Sequence, residues 1–267
     1  MLETILTSLV IILYSVLTAL LIFRLASAGR GLQKSALLGI GLLGLLGHGY
    51  LLYTHLFTGA GLELSFFTVF SLVAWVITAM LLFFAARLAV ENLAIGVLPI
   101  AVIAVLLRTL SSESPVLSQH LPAGLQAHIL VSIISYSLLS IAALQAILLF
   151  IQDRQLHNKH PAGFIRALPP LETMEHLLFQ LITAGFIVLS ISLLSGLFYL
   201  ENILGQHLVH KTVLSIGAWL LFAILLWGRW RFGWRGATAT RWTLTGFVLL
   251  LLAYFGSKFV IELILVR

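Results

Sequence analysis

The sequence has no cysteine, and that single absence excludes several chemistries. A disulfide framework, a thiolate metal site, an iron–sulfur cluster and covalent haem attachment through the chain's own thiols are all ruled out. Charge is nearly as scarce. Only 9% of the 267 residues are Asp, Glu, Lys or Arg, with just nine carboxylates, whereas a soluble domain carries roughly 25% charged residues. What is present instead is apolar: 61% of the chain is hydrophobic. A water-soluble fold of this size keeps much of its side-chain surface in contact with water, so it could not hide such a composition. The sequence therefore predicts an all-α polytopic membrane protein. No segment is long enough for a separate soluble domain, so residues 1–267 are expected to form a single integral membrane domain.

Eight apolar runs of spanning length are separated by polar interruptions, at about 4–23, 35–57, 66–86, 93–110, 125–151, 177–199, 212–227 and 242–263. Each is apolar all round rather than alternating, which excludes a β-barrel. A lone span in hydrocarbon can satisfy its backbone only as a helix. The first run starts near Thr4 with no basic segment before it and no small-residue cleavage site, so it reads as a retained span rather than a signal peptide. A net charge of +6 would suggest nucleic acid in a soluble protein. Here the basic residues stand singly or in small groups between spans and act as topology determinants, and no nucleic-acid partner is expected. Arg24, Arg30, Lys34, Arg87, Arg154, Lys159, Arg166, Arg229, Arg231, Arg235 and Arg241 all fall on one side. Only Arg108, Lys211, Lys258 and Arg267 fall on the other. The positive-inside rule then places the eleven in the cytoplasm and both termini outside.

The connection 152–176 contains Pro161, Pro169 and Pro170 and is expected to be a loop with at most short surface helices. The outer connection 111–124 carries Pro115 and Pro122. In span 2, glycines at 39, 41, 44 and 47 suit close helix–helix contact, and packing is preferred to any ligand role. The basic–aromatic stretch 227–236 (Trp-Gly-Arg-Trp-Arg-Phe-Gly-Trp-Arg-Gly) reads as an interfacial anchor, with contact to a headgroup or a propionate as the alternative. Glu262 and Lys258, four residues apart, read as a local pair. The near-absence of ionisable residues inside spans 1, 3 and 4 argues against a carboxylate proton relay, and no internal repeat marks a transporter.

Histidine is the exception to this polar poverty. There are nine, and under the expected topology His48, His55, His120, His128, His207 and His210 lie at or toward the outer face. His157, His160 and His176 lie at the cytoplasmic face. A neutral imidazole suits an axial haem ligand in a low-polarity site, because it donates a lone pair without adding charge. Taken singly, a histidine near a membrane interface is more often an amphipathic residue anchoring a helix end.

Several of the same segments resemble one family. His128-Ile-Leu-Val-Ser-Ile-Ile-Ser-Tyr136 resembles the opening of a core helix in the CcsA/CcmC-type cytochrome c assembly proteins. The stretch from Gly185 to Ser195-Gly196-Leu-Phe-Tyr199 resembles the helix before that family's tryptophan-rich segment. Lys211 through Trp219 to Ala223, Gly233-Trp234-Arg235-Gly236 and Ala253-Tyr254-Phe255-Gly256 resemble the helix, turn and helix that follow it. The eight-span layout and the basic turn are most similar to the YpjD/HemX-like inner-membrane branch. The resemblance divides the chain into four variable helices (1–124) and a four-helix core (125–267).

The resemblance implies non-covalent binding of haem b, presented on the outer face of a bacterial inner membrane. It further implies a non-enzymatic part in cytochrome c assembly or in haem delivery, export or sensing. The implied partners are the lipid bilayer and other cytochrome c maturation or haem-biosynthesis proteins. His128 falls on the family's first outer haem histidine and His48 on its membrane histidine. There are departures. The tryptophan-rich segment is replaced by 201–211, which has no tryptophan; no histidine follows His210; and the membrane histidine expected near Trp227 is replaced. His207 and His210 stand as substitute partners for His128. The alternative function is a scaffold or regulator of cytochrome maturation or haem synthesis that keeps the fold with eroded ligands.

Overall fold

The computed structural model describes residues 2–27, 31–58, 61–87, 91–111, 122–157, 168–199 and 206–256. Among them are eight long helices: α1 (Leu2–Ala26), α2 (Lys34–Leu56), α3 (Phe66–Arg87), α4 (Glu91–Leu110), α5 (Ala123–His157), α6 (Leu171–Tyr199), α7 (Gln206–Phe232) and α8 (Gly236–Leu251). A π-helical turn, Leu252–Gly256, continues α8. All eight are long and apolar enough to cross a membrane. The sequence pattern did not indicate a small antiparallel hairpin between α2 and α3, β1 (Phe57–Thr58) against β2 (Gly61–Leu62), with Phe57 opposite Leu62.

Several helices outrun the apolar stretches. Helix α5 has 35 residues, or about 52 Å at 1.5 Å per residue, well beyond the ~30 Å of a bilayer core. The expectation of a loop over 152–176 is thus corrected at both ends: α5 runs on to His157, and α6 begins at Leu171, directly behind Pro169 and Pro170. Hydropathy marks where a chain is apolar. It does not mark where the hydrogen-bonded ladder stops, and polar residues extend a helix freely once it leaves the hydrocarbon. Helix α7 likewise continues to Phe232. It ends where Gly233 takes φ +68° and donates its N–H to the Arg229 carbonyl at 3.1 Å, a left-handed cap that glycine adopts without Cβ strain. The expected Lys258–Glu262 pair and the last part of span 8 lie outside the described residues.

The helices fall into two compact units, α1–α4 with the hairpin and α5–α8. In the first, α1 and α3 each pack on both α2 and α4, so the four close a ring. Val10, Tyr14, Leu17 and Leu21 line the buried stripe of α1, while Ile5, Ile12, Val16 and Phe23 form an exposed apolar face. The glycines of α2 make this packing tight. A Cβ on Gly44 would stand 2.6 Å from the Tyr14 ring, one on Gly41 2.7 Å from Leu82, and one on Gly47 2.8 Å from Val10. Small residues let backbones approach where lipid supplies no hydrophobic drive between helices. In the second unit, α5 packs on α6 and α8, and α7 on the same two, closing another ring.

Candidate functional site

Each unit holds one hydrogen-bonded histidine inside its ring. In the first, His48 lies in the middle of α2 and is 0% exposed. An imidazole taken out of water must recover its hydrogen bonds, and two neighbouring helices supply them. Nε2 lies 2.9 Å from Ser71 Oγ of α3, and Nδ1 lies 3.4 Å from the Tyr14 hydroxyl of α1. The two rings meet edge-on at 72°, their centroids 5.9 Å apart. One turn earlier, the Leu45 carbonyl of α2 accepts the Trp75 indole N–H at 2.8 Å. His48 is therefore tied to α1 and α3 at once, with both ring nitrogens engaged.

Near the end of α2 the first unit carries a buried ion pair. Glu63, just after the hairpin, accepts from the Arg108 guanidinium of α4 at 2.9 Å, and both side chains are almost wholly enclosed. Glu63 Oε1 also accepts from Ser65 Oγ at 3.1 Å, and Arg108 donates to Ser111 Oγ at 3.1 Å. His55, at the last turn of α2, meets Glu3 at 3.1 Å. None of these pairings was visible in the sequence, although Arg108 stood out as a basic residue on the charge-poor side of the expected topology.

In the second unit, His128 lies in the second turn of α5 and is half-buried. Its Nδ1 is 2.9 Å from Ser195 Oγ and 3.1 Å from the Ser192 carbonyl, both near the end of α6. Ser132, one turn on, donates to the His128 carbonyl at 2.6 Å and lies 2.7 Å from Ser192 Oγ. Deeper in, Ser135 donates to the Gly185 carbonyl at 3.2 Å. A Cβ at 185 would stand 2.7 Å from Leu139, so glycine permits that approach. A ladder of serines therefore joins α5 to α6 below His128. Ser192, Ser190 and the Trp219 indole that donates to Ser190 at 2.8 Å extend the polar lining toward α7.

The beginning of α5, the end of α6, the beginning of α7 and the π-helical turn share one end of this unit. The His128–Ser195 bond joins the first two, and Lys211 over the Tyr254 ring at 5.9 Å joins the others. A π-helical turn is an uncommon element that recurs at functional sites, and here Phe255 packs edge-on against Tyr136 of α5. His210 stands exposed in the first turn of α7. His207 is in the same turn, but its side chain lies outside the described residues. The hydrogen bonds of His128 run to Ser192 and Ser195 of α6 rather than to His210. Among the described residues no three His, Asp or Glu side chains converge as a metal cluster.

The remaining candidate histidines play other parts. His176 hydrogen-bonds Gln180 on the exposed face of α6, His157 is exposed at the end of α5, and His120 and His160 lie outside the described residues. At the opposite end of the second unit, buried Glu175 of α6 takes Arg229 on one oxygen at 3.1 Å and Arg235 on the other at 3.3 Å. The basic–aromatic stretch 227–236 is thus fastened to α6, and Trp234 packs against Trp242 with ring centroids 5.4 Å apart.

Comparison with known proteins gives this arrangement its family. Residues 36–265 match the family described as "Cytochrome C assembly protein". The inner membrane protein YpjD of Escherichia coli K12 is 34% identical over 262 residues, covering 96% of this chain and 97% of its own. Protein HemX of Brevibacillus brevis is 24% identical over 134 residues, 49% of each chain. The cytochrome c biogenesis protein CcsA of Guillardia theta is 28% identical over 152 residues, 51% of this chain and 50% of its own. No solved structure matches. With nearly its whole length matched and eight membrane-spanning helices, the chain belongs to the cytochrome c assembly protein family as a multi-pass protein of the bacterial inner membrane.

Proposed function

We propose that this protein binds haem b non-covalently at the outer face of the membrane and hands on or senses it during cytochrome c assembly. The bond between His128 Nδ1 and the Ser192 carbonyl carries the reading. A carbonyl can only accept, so Nδ1 is the protonated nitrogen and Nε2 keeps the lone pair an axial ligand needs. Ligating histidines are commonly held in this way, with the second nitrogen donating to a carbonyl. Haem bound there would supply the iron that accepts this lone pair. The chain's own part is to hold the imidazole in one tautomer and to make or break no bond itself. The loop charges support an outer location for this end, since they leave both termini outside and the start of α5 beyond the charge-poor face. His210 and His207, in the first turn of α7, are the proposed candidates for a second ligand. His48 would have to release Tyr14 or Ser71 before it could ligate iron.

The test is an absorption spectrum of the purified protein in detergent, oxidised and reduced. A Soret band that His128→Ala abolishes is the expected result. A colourless protein after haem loading, with c-type cytochromes maturing normally in its absence, overturns the proposal. That result would favour the scaffold reading, which draws support from the fully engaged His48 and from the tryptophan-free stretch at 201–211.

A further inference from the structure

Because the Ser192 carbonyl 3.1 Å from Nδ1 can only accept, Nδ1 carries the hydrogen, and the hydroxyls around His128 then fall into one set of hydrogen bonds. Ser195 Oγ donates its only hydrogen to the Ser192 carbonyl, 2.8 Å away. Toward His128 it can then only accept, so the hydrogen in the 2.9 Å contact between them sits on Nδ1. Ser132 Oγ spends its hydrogen on the His128 carbonyl at 2.6 Å, so the 2.7 Å contact between Ser132 and Ser192 takes its hydrogen from Ser192. Each hydroxyl hydrogen is used once, and none is left to reach the imidazole. The His128 proton is therefore shared between two acceptors, the Ser192 carbonyl and the Ser195 hydroxyl.

We propose that Ser195 is a positioning residue for His128: together with the Ser192 carbonyl it holds the imidazole in the Nδ1–H tautomer and leaves Nε2 as the donor nitrogen. The purpose of that tautomer rests on the haem-ligand reading, but the tautomer itself does not. A second acceptor on Nδ1–H also makes Nε2 more electron-rich, which strengthens a bond to ferric iron. Ser132 and Ser192 have a different task. Their hydroxyls couple α5 to α6 without touching the ring nitrogens.

The first arm uses the protein without haem. With 15N-labelled histidine in detergent, at a pH where the imidazole is neutral, the His128 ring signals (assigned by their loss in His128→Ala) should report the Nδ1–H tautomer. Ser195→Ala should mix in the Nε2–H tautomer, Ser195→Thr should restore the wild-type signals, and Ser132→Ala should leave them unchanged. The second arm uses haem-loaded protein. There Ser195→Ala should raise the reduction potential and weaken haem binding about tenfold, and Ser195→Thr should do neither. An unchanged tautomer in Ser195→Ala, or an equal change in Ser132→Ala, overturns the proposal. If the tautomer responds as expected but no haem binds, the positioning role stands and the haem reading fails. If haem binds through His128 and Ser195→Ala alters neither arm, the reverse holds.

Discussion

The two four-helix units solve the same problem, a histidine within an apolar ring, in opposite ways. In the first, His48 is wholly enclosed and spends both nitrogens on α1 and α3, and a buried Glu63–Arg108 pair ties the α2–α3 connection to α4. In the second, His128 stands near a helix end, half-buried, and spends only Nδ1. Its charged cluster, Glu175 with Arg229 and Arg235, keeps the guanidiniums partly in solvent. An imidazole with both nitrogens engaged is a cross-brace. One with a nitrogen in reserve is equipped to bind. The difference predicts that polar substitutions in the first unit act on stability and that those at His128 act on binding.

The largest effect is expected at the buried ion pair. Glu63→Ala leaves the Arg108 guanidinium enclosed without its carboxylate, a change that typically costs about 3–5 kcal/mol. Thermal unfolding in detergent should show it, and the double replacement Glu63→Leu, Arg108→Met should recover most of the loss. A single variant that melts like the wild type would show that the pair does not brace the unit.

Next comes the contrast between the two histidines. His48→Ala opens a cavity and strands the Tyr14 and Ser71 hydroxyls, for a loss of about 2–4 kcal/mol. His128→Ala removes a half-buried ring and should cost about 1 kcal/mol or less, while abolishing the Soret band. The reverse order in melting temperature would break the comparison outright.

A smaller effect tests the glycines of α2 one against another. Gly44→Ala drives a methyl into the Tyr14 ring, an overpacking cost of about 1–3 kcal/mol. Gly39→Ala, whose Cβ meets nothing within 4 Å, should be neutral or stabilise by a few tenths of a kcal/mol, since alanine is the better helix former. Equal destabilisation by both would mean that the helix contact is not where Tyr14 and Gly44 place it.

A small effect is also expected at Glu175. Gln at that position still accepts from Arg229, whose side chain is 36% exposed, and water reaches Arg235, 67% exposed. Glu175→Gln should therefore cost about 1 kcal/mol or less in a stability measurement. A loss as large as that of Glu63→Ala would show that the two charged clusters are energetically alike.

Much of the architecture could be read from the sequence because the bilayer imposes a strong rule. Eight long apolar runs separated by polar breaks give eight helices, and the glycines of α2 announced a close contact correctly. Boundaries were less legible, because α5 and α7 run past their apolar segments into residues such as Arg154 and Arg229. The buried faces were less legible still. A span facing lipid on one side and protein on the other is apolar on both, so nothing in α1 distinguishes Val10 and Tyr14, which are buried, from Ile12 and Val16, which are not. His128 was singled out by its motif, but Ser192 and Ser195, more than sixty residues away, carry no local mark of their role in holding it.

From its composition alone, strongly apolar and with few charges, the chain was bound to be a helical membrane protein, and without cysteine thiolate chemistry was closed to it. Hydrocarbon leaves a spanning backbone no alternative to the helix, and that constraint acts on each segment separately. Which imidazole is braced and which keeps a nitrogen in reserve was decided only by tertiary structure. Hydrogen-bond partners such as Tyr14, Ser71, Ser192 and Ser195 come from other helices, and only the closing of each ring brings them within 3.5 Å.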